Sequence, residues 1–418
     1  MTLDTDYSLA GVNLEPGKEY SSDDIRSRET FFHAYKSPVD VLDEEILDDD
    51  VVPFGFATVD QLGTVKFSSG SSPVASTKIL VHAKFDLFNL AKQCVDWVKS
   101  HCSYPRIDVN EGFFESTDSN VEVREVDDRI FSSADKAHVR IVEGSSKTFV
   151  QGEESTVCID SDNAALSVIG EGCRVSGTGN SVKLNLEADL CSAALSGMRV
   201  YSRIEGDYNS VAFSGNKSRC TIRGYANQVA FSGDNCHVSN DCRMAQLGMS
   251  GDFGFLVNSE SSVKAAISGD KNKCVNVGTC LDVVFSGDEV KYVNTGKYSS
   301  ALFTGDEPII ADNGEKSNIL SRGNDALIYS SGNNARITCF GKSSRVNSVG
   351  SDAVIQCLGM GCAVKAKKGS FITLAEWVWD EGKSERVIKA IESDYVDGKY
   401  IKEDTWYILE DGDFVEED

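Results

Sequence analysis

A glycine falls on every ninth residue through the middle of this chain, and few folds accept so strict a ruler. In the register from Gly170 in steps of nine to Gly359, glycine holds 19 of 22 positions, and only Ala188, Cys242 and Glu260 break it. The eighteen-residue sub-register beginning Gly179, Gly197, Gly215 and ending Gly359 has no exception. A fixed period of this length marks a stack of like units, each burying its apolar side against its neighbours. The repeating unit is a pair of nonapeptides, one coil of eighteen residues.

Numbering each nonapeptide from its glycine as position zero, positions three, five and seven share one strand face. Position five is apolar almost throughout, as in Val211, Cys220, Val229, Val238 and Leu247, and later Ile310, Ile319, Ile328 and Ile337. Position three is small, as in Cys236, Ala245, Ala326 and Ala335. The glycine and its Asp or Asn neighbour are expected to supply the turn, because both tolerate positive φ. Position seven tells the two sides of the coil apart. One side reads Phe213, Phe231, Met249, Ile267, Phe285, Phe303; the other reads Asn240, Asn258, Asn276, Asn294, Asp312. Asparagines stacked at a strand spacing of roughly 4.8 Å can hydrogen-bond one another along the axis. A buried structural ladder is therefore the reading for them, with a binding groove as the alternative.

A triangular helix of three hexapeptides also has eighteen residues per turn but requires a six-residue sub-period, whereas the glycines mark nine. The fold expected is mainly β: a two-sided β-solenoid of about 13 coils over residues 134–368, a rod roughly 60 Å long at strand spacing. It carries a small α+β N-terminal cap (1–133) and a small C-terminal module (369–418). Such nonapeptide pairs resemble the calcium-binding rolls of secreted bacterial toxins, whose GGxGxD corners cage the ion. Here the corner is only Gly-Asp, at Asp234, Asp252, Asp270, Asp288 and Asp306, one carboxylate per coil, where calcium takes six or more oxygens. Solvated turn residues are expected, and no metal or cofactor site.

The net charge of −24 raises the question of a DNA mimic. Its distribution argues against one: residues 1–133 carry 25 acids and 12 bases, 134–368 carry 25 and 24, and 369–418 carry 15 and 5. The rod is nearly neutral and the ends hold the charge, the reverse of an imitation phosphate backbone. Direct nucleic-acid binding by acidic ends is equally unattractive. No run of eighteen apolar residues exists, and the first residues do not read as a signal peptide. Of the thirteen cysteines, most of those in the solenoid take inward positions as small core hydrophobes, which suits a reducing compartment and points to the cytoplasm of a host cell.

The N-terminal part reads as a turn at Pro16–Tyr20, strands at Phe56–Val59 and Lys78–Val81, and an amphipathic helix over Phe88–Val98 with Asp86 at its start. Such a helix could cap the first coil and block growth from an open edge. The stretch PGKEY (16–20), FFHAYKSPVDVLD (31–43), FATVDQLGTVKF (56–67) and ASTKILVHAKFDL (75–87) resembles a domain of unknown function common in phage and prophage proteins, where it precedes glycine-ruled repeats. The tail SFITLAEWVWDEGK (370–383) with VDGKYIKEDTWYILEDGDFVE (396–416) resembles the C-terminal module of the same proteins. The resemblance implies a phage or mobile-element setting and carries no activity with it.

His33, after two aromatics, is the strongest single candidate for chemistry, and its setting resembles nicotinamide-binding transferase folds. No paired carboxylate or nucleophile accompanies it, so a structural histidine and a non-enzymatic chain are expected. Position six should point outward. On the phenylalanine side it reads Ala194, Ala212, Ala230, Gly248, Ala266, Val284, Leu302, Leu320; on the other, Arg203, Thr221, Ser239, Val257, Val275, Val293. A flat face of small apolar residues invites another flat sheet, so a homodimer is expected there, with a partner protein or a folded-back terminal module as alternatives. The acidic run Asp48, Asp49, Asp50 could steer a basic partner. The function expected is an interaction protein that docks on, and inhibits, a host protein of defence or nucleic-acid processing. The alternatives are a virion or assembly component, a DNA mimic, and a cryptic transferase-like enzyme in the N-terminal module.

Overall fold

The computed structural model describes residues 1–23, 31–42, 46–48, 51–67, 73–102, 114–116, 120–124, 129–142 and 145–417. It is mainly β, with a β-solenoid of about 14 turns spaced about 18 residues apart over residues 120–374, beside an N-terminal α+β region. The chain divides into two compact units, Met1–Trp97 with Lys291–Thr295 and Asp306–Asp418, and Val98–Val290 with Gly296–Gly305.

In the second unit each nonapeptide is one strand and one corner, and strands eighteen residues apart pair in parallel, residue on equivalent residue. Val211 stands over Val229, Ala212 over Ala230, Phe213 over Phe231 and Ser214 over Ser232. Strands of the phenylalanine column therefore form one sheet (odd strands below), and those of the asparagine column the other (even strands). Positions three, five and seven meet between the sheets and are buried, as in Ala245, Leu247 and Met249. Stacking identical residues makes ladders by construction. Phe213 and Phe231 stack with centroids 4.9 Å apart, and Asn240 donates from Nδ2 to Asn258 Oδ1 at 2.8 Å, as Asn258 does to Asn276 at 2.8 Å. The second N–H of Asn258 is taken by Glu260 O at 2.9 Å and that of Asn276 by Gly278 O at 2.8 Å, so these fully buried amides are satisfied.

The corner differs from expectation. The left-handed residue is not the glycine's neighbour but position two: every ninth residue from Lys136 to Asp352 has φ between +51° and +63°, with Gly172 in the same series at +70°. Residues as poorly suited as Leu190, Tyr208 and Met244 adopt it, at a cost of roughly 1 kcal/mol or more each. The glycine expectation holds in part: Gly197, Gly206, Gly215, Gly224, Gly233, Gly251 and Gly269 have φ between +100° and +154°, and along the whole ruler the glycine also answers a second demand, close stacking. A Cβ on Gly287 would lie 1.9 Å from the carbonyl oxygen of Gly269 one coil earlier, and one on Gly215 2.2 Å from that of Gly197. Gly287→Ala is accordingly expected to destabilise the protein by about 3 kcal/mol, since the carbonyl it meets belongs to a packed backbone. Ser262→Gly, at a left-handed corner (φ +60°), should be near neutral. Urea denaturation of the two variants compares them directly, and an alanine tolerated at 287 removes this account of the ruler.

The position-one acids complete the corner. Asp234 Oδ1 accepts the backbone N–H of Asp252 at 3.0 Å, Asp252 that of Asp270 at 2.9 Å, and Asp270 that of Asp288 at 2.9 Å. In the first unit Asp306 does the same for Asn324 at 2.8 Å. Only a short side chain with an acceptor oxygen reaches this N–H, which is why Asp or Asn fills the column from Asn216 through Asp234, Asp252, Asp270, Asp288 and Asp306 to Asn324. These residues are structural acceptors rather than merely solvated turns.

In the first unit the N-terminal sheet is built on the antiparallel pair Gly55–Lys66 and Val74–Phe85, longer than the strands expected, flanked by Thr2–Leu3, Glu19–Ser21 and Phe32–Ala34. Met1, Leu3, Leu14, Phe32, Ala34, Ala57, Ile79 and Val81 form its core. A short helix, Pro38–Val41, starts at Ser37, whose Oγ accepts the Asp40 N–H at 3.1 Å. The amphipathic helix runs Leu87–Cys102, four residues further than expected; Asp86 accepts the Asn89 N–H at 2.8 Å, and Leu90, Ala91, Cys94 and Val98 are buried as expected, joined by Val95. At the C-terminal end, strand Phe371–Asp380 pairs in parallel with Val354–Cys357 and then antiparallel with Glu385–Tyr395, while Trp406–Glu410 pairs antiparallel with Ala363–Ala366. Antiparallel hairpins thus end both sheets of the stack.

Candidate interaction surface

The two outward faces of the solenoid read alike in sequence and differ in the structure. On the even strands position six is mostly closed: Thr221, Ser239, Val257, Val275, Val293, Ala311 and Asn347 are buried, while Arg203 and Tyr329 are half-buried. Within the second unit the last turn of the Leu87–Cys102 helix lies against this face. Lys99 Nζ is 2.7 Å from Asp241, Arg219 donates to His101 O at 3.3 Å, and the Cys102 thiol reaches His237 O at 3.8 Å. Asp241 and Glu205 extend the contact as an ionic row, with Arg223 at 2.8 Å from Glu205 and Arg203 at 2.6 Å. Within the first unit Asn347 donates to Val51 O at 3.1 Å. The outward positions on the asparagine side are thus mostly buried, and within each unit a segment from outside the repeat contacts that side of the stack. The helix end expected over the first coil contacts residues 219–241 instead.

On the odd strands the same position stays open. Ala194, Ala212, Ala230, Ala266 and Val284 are exposed and Gly248, Leu302 and Leu320 are half-exposed. From Ala194 to Leu302 they stand in register on seven neighbouring strands. A parallel row of serines, Ser196, Ser214, Ser232, Ser250, Ser268 and Ser286, runs beside them. On the corner leading into these strands, Leu190, Tyr208 and Met244 are more than 45% exposed in the left-handed conformation. Tyr225 joins them, with its ring 5.8 Å from Tyr208 and its hydroxyl 2.7 Å from Met244 Sδ. Large apolar side chains that are both exposed and conformationally disfavoured serve neither the core nor the turn. Reading the sequence column by column passes over them, because position two then counts as an ordinary turn residue; its residue types are the signal that would have found them.

The remaining candidates are not brought together. His33 projects from the solvent side of strand Phe32–Ala34, with its neighbours Phe32 and Ala34 in the core. His82 pairs with Asp60 at 2.9 Å. His237 is held in the buried contact under the helix end, where burial, with Arg219 and His101 nearby, pushes its pKa down to about 4. Asp48 is half-buried and accepts the Val52 N–H at 3.0 Å, ordering its own turn, while Asp49 and Asp50 lie outside the described residues. The cysteines are free, eleven of them buried, with Cys280 exposed. Among the described residues no three His, Cys, Asp or Glu side chains converge as metal ligands, and no helix is long and apolar enough to cross a membrane. No family model, curated protein or solved structure matches the chain.

Proposed function

We propose that this chain is a non-enzymatic interaction protein that works through the open face of its odd strands. The observation that carries the reading is the contrast between the two faces. Equivalent small and apolar outward positions are buried on the even strands and left uncovered on the odd strands. A row that one side of the same stack closes with protein is suited to be closed by protein on the other. The near-neutral solenoid and the strongly acidic terminal parts divide the work, the flat face supplying contact area and the acidic parts favouring a basic partner. The resemblance of both ends to phage and prophage proteins favours a host protein as the partner, with inhibition by docking as the mode of action and the host cytoplasm as the place. A virion or assembly component is the second reading, supported by the continuous axial ladders.

Changing Ala230 and Ala266 together to lysine tests the face. Both side chains are exposed, so circular dichroism should be unchanged, while a pair of lysines driven into a sheet-to-sheet contact leaves charges buried and unpaired, a cost of several kcal/mol. Self-association, or retention of a host protein on the immobilised chain, should fall by a factor of a hundred or more at roughly 3 kcal/mol. Binding that survives both lysines excludes this face.

A further inference from the structure

We infer that the free edge of strand Glu385–Tyr395 is a strand-addition site for an extended segment of another protein in which apolar and basic residues alternate. The site is separate from the open face of the odd strands and does not depend on the function proposed for that face.

The sheet that contains Val354–Cys357 and Phe371–Asp380 ends on this strand. Glu385–Tyr395 pairs antiparallel with Phe371–Asp380 on one side, and no strand among the described residues pairs with its other side. In an antiparallel pair, facing residues alternate between those bonded to each other and those whose main-chain groups turn away. The Phe371 N–H donates to Ala353 O at 2.9 Å, on the side of Val354–Cys357, so Phe371 and its partner Tyr395 turn away from each other. By the same alternation so do Thr373 with Ser393 and Ala375 with Ile391. The main-chain N–H and C=O of Ile391 and Ser393 therefore point to the open edge, while the Tyr395 N–H is taken by Asp394 Oδ1 at 2.7 Å. A bulge or an edge lysine is the usual guard of such an edge. Here the bulge lies beyond Ala390, and Lys389 is held by Glu376 and Asp411, at 2.8 Å from each.

The two faces of the strand specify what an added strand carries. Phe371 and Thr373 stand beside Val354 and Gln356 on the outward face, and their partners Tyr395 and Ser393, with Ile391 and Ile388, share it. Phe371, Ile388, Ile391 and Tyr395 are between 42% and 52% exposed, a cluster of large apolar side chains of the kind that anchors a partner. The opposite face carries Glu392 and Asp394, which pair with Leu374 and Ile372 and are exposed. An added strand thus sets apolar side chains beside Ile391 and Tyr395, and on its other face basic ones beside Glu392 and Asp394, where opposite charges on neighbouring strands attract. The charge of the surrounding part has the same sign, with 15 acids and 5 bases over residues 369–418. A second copy of the strand does not fit. Antiparallel registers centred on Glu392 or Ser393, which use Ile391 and Ser393 together, set Glu392 against Glu392 or Asp394.

Fluorescence anisotropy of the full chain with labelled peptides, each about ten residues long, tests the site. A peptide of alternating lysine and isoleucine should bind with Kd of about 10–100 µM. A peptide of alternating glutamate and isoleucine should bind at least about tenfold more weakly, because its charges meet Glu392 and Asp394. The lysine–isoleucine peptide N-methylated throughout should lose about as much, because strand addition draws its affinity from main-chain hydrogen bonds. Ile391→Lys should weaken the lysine–isoleucine peptide by about tenfold, and Glu392→Lys/Asp394→Lys should reverse the preference in favour of the glutamate peptide. All three side chains are exposed, so circular dichroism should be unchanged. An N-methylated peptide that binds the unmodified protein as tightly as its parent overturns the inference, as does a charge preference that survives Glu392→Lys/Asp394→Lys. A full chain that is dimeric by sedimentation equilibrium and becomes monomeric on Ile391→Lys overturns it as well, since a second copy then closes the edge.

Discussion

Replacing Asp312 with asparagine is expected to stabilise the protein at about pH 8 by roughly 4 kcal/mol and to change it little at about pH 4. Asp312 stands at position seven, the position that Asn294 fills one coil earlier, and accepts from Asn294 Nδ2 and, at 3.3 Å, from the Gly314 N–H. It is fully buried, and its Oδ2 has no hydrogen-bond partner. Burial raises its pKa from the ordinary 3.8 to about 7, outweighing the hydrogen bonds from Asn294, Gly314 and Ser317. A carboxyl whose folded pKa is raised binds its proton more tightly in the folded state. Its contribution is fully present below about pH 4 and is lost as pH rises through 7, leaving the fold to carry a buried charge. Asparagine has no charge to bury and offers an N–H where Oδ2 is now unpaired. His237, with its pKa lowered to about 4, acts in the opposite sense, costing stability as pH falls below its ordinary 6.5. The decisive quantity is therefore the difference between the two proteins in urea denaturation across this range. Parallel stability curves for the unmodified protein and the Asp312→Asn variant would show that the carboxyl is not held in this state.

Removing residues 251–268 is expected to leave a folded protein with one coil fewer, whereas removing 251–259 is expected to prevent folding. Each strand pairs with those eighteen residues before and after it, so an eighteen-residue excision closes the stack with like on like: Met249 returns over Phe285, and Asn240 over Asn276. A nine-residue excision exchanges the sheets for everything that follows. Strand Lys264–Ser268 would then stack on His237–Arg243, setting Ile267 over Asn240, and Lys273–Asn276 on Gln246–Ser250, setting Asn276 over Met249. Each buried amide deprived of its partner costs about 1–3 kcal/mol, and the mismatch recurs along the ladder. The same shift would carry the exposed row Ala266, Val284, Leu302 to the side on which the helix end at Lys99–Cys102 lies. Thermal unfolding with circular dichroism separates the outcomes, and equal damage from both excisions would refute a two-sided coil.

The solenoid was legible because its contacts are periodic. A residue and its partner are always eighteen apart, so the columns of Phe213 to Phe303 and Asn240 to Asn294 declare what stacks on what before any coordinates are known. Corner chemistry was only half legible. Asp234, Asp252 and Asp270 could be seen to form a ladder, but that each serves the next coil's N–H, and that position two is left-handed in every coil while only some of the ruler glycines have positive φ, follows from the stacked backbones. Nothing in the residue types of Leu190, Tyr208 or Met244 asks for that conformation; the corner repeats it at position two whatever residue stands there. The interaction surface was the least legible part. Thr221, Ser239, Val257 and Val275 and the open row Ala212, Ala230, Ala266 and Val284 are both outward columns of small, uncharged residues, the first polar in part and the second apolar. The periodic code specifies which residues face outward and is silent on what covers them. Part of one column is closed by a helix end from outside the repeat, which reaches residues 219–241 through Lys99, His101 and Cys102, contacts that span more than a hundred residues of sequence. Local periodicity therefore decided the stack, and aperiodic docking decided which of its two like faces remains open.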